Sequence, residues 1–202
     1  MNGPRFSAAG IDANWLRSRF LVGAPSGGNP EAAASVALTP AAVLVPVVVR
    51  PEGLTMLLTQ RTEHLHDHPG QVSFPGGRCE SSDASPTVTA LREAEEEVGL
   101  RPEQVDVIGR LPRYQTGTGF HVTPVVGLVR PPLELRPDPF EVAEVFETPL
   151  EFLLDPANHR RVSMEIAGAW REFWAVPYED RFIWGATAAM IVSLYRFLSG
   201  DE

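Results

Sequence analysis

The sequence predicts one mixed α and β domain, and three observations carry that expectation. With 44% hydrophobic residues in 202, the chain can bury a core at a length near the upper end of a typical single domain. Nineteen Pro and seventeen Gly punctuate it too often for a helix bundle and favour many short elements joined by turns. Apolar runs of strand length also alternate with stretches of helical character.

The elements follow in order. From Met1 to about Pro40 the chain is rich in Ala, Gly, Ser and Pro, so residues 1–35 read as an N-terminal arm ahead of a main domain at 36–198. The arm holds one short helix around Asp12 to Phe20, with Asp12 placed to cap it. Two apolar runs, Ala42 to Val49 and Leu54 to Thr59, flank Pro51, Glu52 and Gly53, which is the composition of a turn between paired strands. A loop from Glu63 to Gly77 leads to a helix over Ser85 to Val98, with Ser85 as N-cap, Pro86 at the first helical position and Gly99 as its stop. Val105 to Leu111, Val122 to Leu128 and Phe173 to Val176 are strand candidates, and Pro149 to Leu154 reads as a short helix. Ile183 to Leu198, without an internal proline, is the closing helix.

Composition narrows the function classes. The single cysteine, Cys79, forms no internal disulfide, and the first thirty residues lack the basic start and apolar core of a secretory signal, so a reducing, cytoplasmic setting is expected. The longest apolar stretch, Ala41 to Val49, has about half the ~20 residues needed to span a bilayer and carries Pro46, so it reads as a buried strand and no membrane partner is expected. A net charge of -9 argues against general nucleic-acid binding, which draws on a basic face. An acidic protein that handles a phosphate-bearing small molecule needs local arginines or divalent cations to offset the repulsion.

Such a site is visible in the Ser85 to Val98 segment. At 100° per residue, Leu91, Ala94 and Val98 fall on one side and Glu93, Glu96 and Glu97 on the other. Carboxylates three and four residues apart repel one another unless a cation lies between them, and hard oxygen donors suit magnesium or manganese. An isolated acidic run is normally a solvated helix face. Here the turn Phe74-Pro75-Gly76-Gly77 lies just upstream, where the backbone can approach a ligand closely and offer a carbonyl to a metal, and a solvated face has no need of it.

Arg92-Glu93-Ala94-Glu95-Glu96-Glu97-Val98-Gly99-Leu100 resembles the second half of the Nudix signature, REUxEExGU with U apolar. The first half departs: the sixth residue after Gly77 is Asp83 where the family has glutamate, and eight residues rather than seven separate it from Arg92. One extra residue therefore sits in the loop, and Asp83 is given no place in the site. The resemblance implies a Nudix-type α/β/α sandwich with a mixed β-sheet. It also implies Mg2+ or Mn2+ held by Glu93 and Glu97 with Glu96 assisting and Gly77 contributing, and Arg92 orienting the glutamates through charge-assisted hydrogen bonds. Downstream, where such enzymes often supply one more acid for a metal or the attacking water, stand Glu141 and Glu144.

The segment before the glycine turn is similar to the coenzyme A pyrophosphatases within that family. Leu57-Leu58-Thr59-Gln60-Arg61-Thr62, His66, Gly70 and Phe74-Pro75-Gly76-Gly77 stand at that group's spacing, with Thr62 where serine or alanine is usual and His66 in place of an arginine. Arg61, His66, Gly70 and Phe74 are the substrate-binding candidates this implies, and a guanidinium at Arg61 is well shaped to clamp phosphate oxygens. The similarity continues through Ala41-Ala42-Val43-Leu44-Val45-Pro46, Val122-Thr123-Pro124-Val125-Val126-Gly127 and Ile183-Trp184-Gly185-Ala186-Thr187, so it spans most of residues 36–198. The implied reaction is hydrolysis of coenzyme A to adenosine 3',5'-bisphosphate and 4'-phosphopantetheine. The rivals are a Nudix hydrolase for ADP-ribose, nucleotide sugars or dinucleoside polyphosphates, and a noncatalytic Nudix module that binds a nucleotide. Alternating His64, His66 and His68 suggest zinc only weakly, because Pro69 and Gly70 make the stretch a loop, and Cys79 has no base nearby in sequence and reads as a bystander thiol.

Overall fold

The computed structural model describes residues 10–23, 38–65, 68–166 and 168–200. In chain order its helices and strands are α1 (Ala13–Val22), β1 (Thr39–Arg50), β2 (Gly53–Arg61), β3 (Val72–Ser73), β4 (Gly76–Arg78), α2 (Pro86–Val98), β5 (Val105–Arg110), β6 (Tyr114–Gln115), β7 (Phe120–Val129), β8 (Val142–Pro149), α3 (Leu150–Leu153), β9 (Arg160–Ile166), β10 (Ala169–Tyr178), β11 (Arg181–Trp184) and α4 (Gly185–Ser199).

The hairpin expected at Pro51 to Gly53 is the join of β1 and β2, closed at Arg50 against Gly53. β1 runs through the middle of the main sheet. It pairs with β7 in parallel from Thr39 against Phe120 to Val48 against Val129, and with β2 and β4 antiparallel, so the sheet is mixed. The path is β3-β2-β1-β7-β5, with β4 on β1, β6 on β7 and β8 on β2, and a second sheet has the order β11-β10-β9. A strand covered on both faces is apolar throughout rather than alternating, which accounts for the run from Ala41 to Val49.

The two faces carry separate cores. On one, Ala90, Ala94 and Val98 of α2 pack on Ala42, Leu44, Val48, Leu57, Val125 and Val129. On the other, Leu150 and Leu153 of α3 and Ile191 and Leu194 of α4 pack with Met56, Leu58, Val126, Leu128 and Ile183. Each Val, Leu, Ile or Met side chain among them taken fully out of water contributes about 1.5–3 kcal/mol, and together they fix an α/β/α arrangement. α1 is capped by Asp12, which accepts from the Trp15 N–H at 2.7 Å. It docks on the domain through buried Leu16, an ion pair of Arg17 with Asp106, and Phe20 at 4.5 Å from the Phe197 ring. No helix among the described residues is long and apolar enough to cross a membrane.

Some boundaries differ from those expected. Ile183 and Trp184 belong to β11, paired with Val176 and Ala175, and the helix starts only at Gly185, whose φ of +65° turns the chain out of the sheet. The loop from Glu63 to Gly77 contains β3 and the start of β4, and neither β8 nor β9 was anticipated. The strands around Val122 to Leu128 and Phe173 to Val176 extend to 120–129 and 169–178.

Candidate active site

The helix α2 starts where its sequence says it should: Ser85 accepts from the Val88 N–H, Pro86 follows, and Gly99 ends it in the left-handed region at φ +71°. Its acidic residues do not share one exposed face, however. Glu96 is largely exposed, Glu93 is half-buried, and Glu97, expected on the outer side, is only 7% exposed. What covers Glu97 is the glycine turn. β4 lies along β1, with Gly76 opposite Val43 and Gly77 opposite Ala42. A Cβ on Gly76 would meet the Ala42 carbonyl oxygen at 2.5 Å, and one on Gly77 would collide with the Glu93 carboxylate. The two glycines thus let backbone and carboxylates meet, and the Gly76 N–H donates to Glu97.

The Glu97 carboxyl is pushed up to about 8 by burial first, then by the charges of Glu141 and Glu93, with the Gly76 N–H and Arg61 pulling the other way. Burial and the charges of Glu96 and Glu141 likewise raise Glu93, against the pull of Arg92. Arg61, at the end of β2 beyond a bulge at Gln60 and Arg61, has a buried Nε with no hydrogen-bond partner. Two acids held up chiefly by burial and then by neighbouring carboxylates, beside a guanidinium with an unpartnered Nε, make a site suited to a cation and the phosphate oxygens it carries. Among the described residues no three acidic, imidazole or thiol side chains form a ready-made ligand cage, so metal binding requires the carboxylates to draw together.

Glu141 reaches this cluster by a backbone route. The Arg136 N–H donates to the Val98 carbonyl and the Asp138 N–H to the Glu97 carbonyl, both at 2.9 Å, which satisfies carbonyls left open at the end of α2. The chain then turns on Asp138, which accepts from the Phe140 N–H at 2.8 Å through its side chain and from the Glu141 and Val142 N–H groups through its carbonyl. Thr62 ties this turn to β2 by donating its hydroxyl to the Phe140 carbonyl and its N–H to the Glu141 carbonyl.

Arg92 connects the acids to the loop. It donates to Glu96 at 2.9 Å and to the Arg78 carbonyl at 3.2 Å, and it lies 3.1 Å from Glu93. Asp83, set aside by its spacing, holds Arg92 from behind: its Oδ1 accepts from Nε at 3.2 Å and its Oδ2 from a terminal guanidinium nitrogen at 3.0 Å. Asp83 also accepts from the Thr89 hydroxyl and the Glu80 N–H, each at 2.9 Å, and the Arg92 guanidinium holds its carboxyl well below the usual carboxylate range. The extra loop residue is absorbed upstream of α2, and an acid still arrives at Arg92.

The remaining candidates lie elsewhere. Glu144 faces the opposite side of the sheet from Glu97 and pairs with Arg181 at 2.6 Å. Phe74, expected at the substrate, is 3% exposed inside the core, where it anchors the glycine turn instead of presenting a ring to a ligand. Gly70, at φ +65° against the Glu63 carboxylate, lines a cavity next to the turn. His66 lies outside the described residues; His64 packs 4.9 Å from the Phe140 ring, and His68 sits on the rim of that cavity. Cys79 is a free thiol whose N–H donates to the Pro40 carbonyl.

Gly77→Ala tests the close approach of turn and helix. The new methyl displaces the Glu93 carboxylate, and activity is expected to fall about 100-fold with the circular-dichroism spectrum unchanged, since misplacing a reacting group by ~1 Å costs that much.

Comparison with known proteins agrees with this geometry. The NUDIX domain model matches residues 38–166. The Nudix hydrolase NudL of Escherichia coli (strain K12), described as uncharacterized, is 47% identical over 154 residues, which is 76% of this chain and 80% of that protein. NudL of Shigella boydii serotype 18 is 47% identical over the same share of both chains. The crystal structure of a MutT/nudix family protein from Enterococcus faecalis aligns with a TM-score of 0.50 over 91% of this chain and 73% of that one, at 16% identity, which speaks to the fold alone. With the signature helix, its glycine turn and the sandwich that joins them all in place, the chain belongs to the Nudix family and is a hydrolase acting on phosphoanhydrides.

Proposed function

We propose that this hydrolase cleaves the diphosphate of coenzyme A with Mg2+ or Mn2+. The observation that carries the chemistry is the buried Glu97 carboxylate beside Glu93 and Glu141, facing Arg61. Support for the substrate comes from Arg61, Gly70 and Phe74-Pro75-Gly76-Gly77 at the spacing of the coenzyme A pyrophosphatases. Hydrolases of the family use divalent metal ions, and the crowded carboxylates fit one.

Glu93 and Glu97 would hold the ion, with Gly77 contributing from its backbone and Glu96 assisting from the solvent side of Arg92. A bound divalent ion supplies charge neutralisation on the phosphates and a more acidic water. Arg61 clamps phosphate oxygens with its free Nε, and Arg92 keeps Glu93 and Glu96 oriented. Glu141 is the better placed of the two downstream acids to take the proton from the attacking water, since it faces Glu97 while Glu144 is tied to Arg181. The water oxygen bonds to one phosphorus, the bridging P–O bond breaks, and its electron pair leaves with the other phosphate.

Incubation of coenzyme A with the protein and Mg2+ or Mn2+, followed by mass spectrometry, is expected to yield adenosine 3',5'-bisphosphate and 4'-phosphopantetheine. Intact coenzyme A alongside rapid cleavage of ADP-ribose or a dinucleoside polyphosphate would overturn the substrate. No hydrolysis of any of these with either ion would favour a nucleotide-binding module.

A further inference from the structure

On the sheet face opposite the acid cluster lies a cavity of about 500 Å3, between the end of β2, β8, the 68–72 segment and the turn from β10 into β11. It falls within the roughly 300–1,000 Å3 of small-molecule pockets. Its polar groups are of a particular kind. The guanidinium of Arg181 donates to Glu144 at 2.6 Å and to Asp180 at 3.0 Å and lies over the Phe146 ring, yet its buried Nε has no partner. Beside it, no hydrogen bond among the described residues engages the side-chain amides of Gln60 and Gln71.

With Glu179 at 3.8 Å as well, three carboxylates stand against one guanidinium and leave no surplus positive charge for a phosphate. The free groups are amide donors, amide acceptors and one N–H, which suit a neutral ligand rich in hydrogen-bonding groups. Along the chain the cavity's lining adjoins residues of the acid cluster. Gln60 and Arg61 are consecutive at the bulge of β2; Gln60 lines the cavity and Arg61 interacts with Glu97. Gly70 and Gln71 lead through β3 into the glycine turn that covers Glu97.

Resting on the reading of the substrate as coenzyme A, we infer that this cavity binds the neutral amide-bearing arm of the substrate, with Gln60, Gln71 and Arg181 as the residues that select it. A diphosphate at Arg61 then places its adenosine half away from the cavity and threads the amide chain past the sheet end to Gln71.

Pantetheine, which carries the amides and no phosphate, tests this without turnover. Titrated into metal-free protein, it is expected to change the emission of Trp184, which lines the cavity, with a response lost in Trp184→Phe. Gln71→Leu and Arg181→Met should each weaken its binding about tenfold, the effect of one lost hydrogen bond to a buried partner. Adenosine 3',5'-bisphosphate should fail to displace it. In turnover, the same variants should lower kcat/KM for coenzyme A relative to ADP-ribose about tenfold, chiefly through KM. Equal losses on both substrates, or displacement of pantetheine by the bisphosphate, would overturn the inference. Pantetheine binding by a wild-type protein that leaves coenzyme A intact would instead sink the proposed substrate and spare the cavity. Coenzyme A cleavage untouched by either variant would do the reverse.

Discussion

Glu97→Gln is expected to abolish turnover, by three orders of magnitude or more, and at the same time to make the metal-free protein more stable above neutral pH. Loss of activity follows from removing a charged ligand where an amide holds a divalent ion poorly. The gain in stability follows from the raised carboxyl. With a folded-state value of about 8 against an ordinary 4.5, Glu97 binds a proton in the folded protein across a range where the unfolded chain has released it. Stability therefore falls as pH rises through that window and levels off above it. The penalty is on the order of 5 kcal/mol for a shift this size. Thermal melts of metal-free protein from pH 5 to 9 should show a decline that Glu97→Gln flattens and that saturating Mg2+ partly offsets. Near-normal activity in the variant would remove Glu97 from the site.

Asp83→Ala is expected to lower kcat roughly 10–100-fold, the usual effect of losing a partner that orients a metal-site group. Asp83 touches no reacting atom in the proposed mechanism; it is a positioning residue that acts through Arg92. Without it, Arg92 retains Glu96, Glu93 and the Arg78 carbonyl but loses two of its charge-assisted hydrogen bonds. The Mg2+ concentration for half-maximal rate should rise together with the fall in kcat, and Asp83→Glu should recover part of both. A variant with reduced stability but unchanged metal dependence would make Asp83 a structural residue only.

Much of this arrangement was legible in the amino acids because its signals are local. Ser85, Pro86 and Gly99 bound α2 by capping and backbone preference alone, and Pro51 to Gly53 marks the hairpin for similar reasons. What escaped depends on contacts across the fold. A helical projection gives the direction of Glu97, and the glycine turn points to a ligand there, but neither shows that the turn buries Glu97 to 7% exposure while Glu96 stays in solvent. Phe74 belongs to a motif associated with substrate, yet its ring is spent on the core. Ile183 and Trp184 fit a helix pattern as well as a strand pattern, and only pairing with β10 decides between them. Spacing alone separated Asp83 from Arg92, whereas hydrogen bonds from the Glu80 N–H and the Thr89 hydroxyl bring the two together.

The segment from Arg136 to Glu141 satisfies the open carbonyls of α2 with its own N–H groups before presenting its acid. Main-chain hydrogen bonds, braced by the Asp138 carboxylate and the Thr62 hydroxyl, therefore set the phase of Glu141 relative to Glu97. A change of side chain at Arg136 or Pro137 leaves that phase intact, whereas loss of one residue from the 136–138 stretch rotates the acid away from its neighbour. What this stretch must keep is its length, more than the identity of the side chains at Arg136 and Pro137.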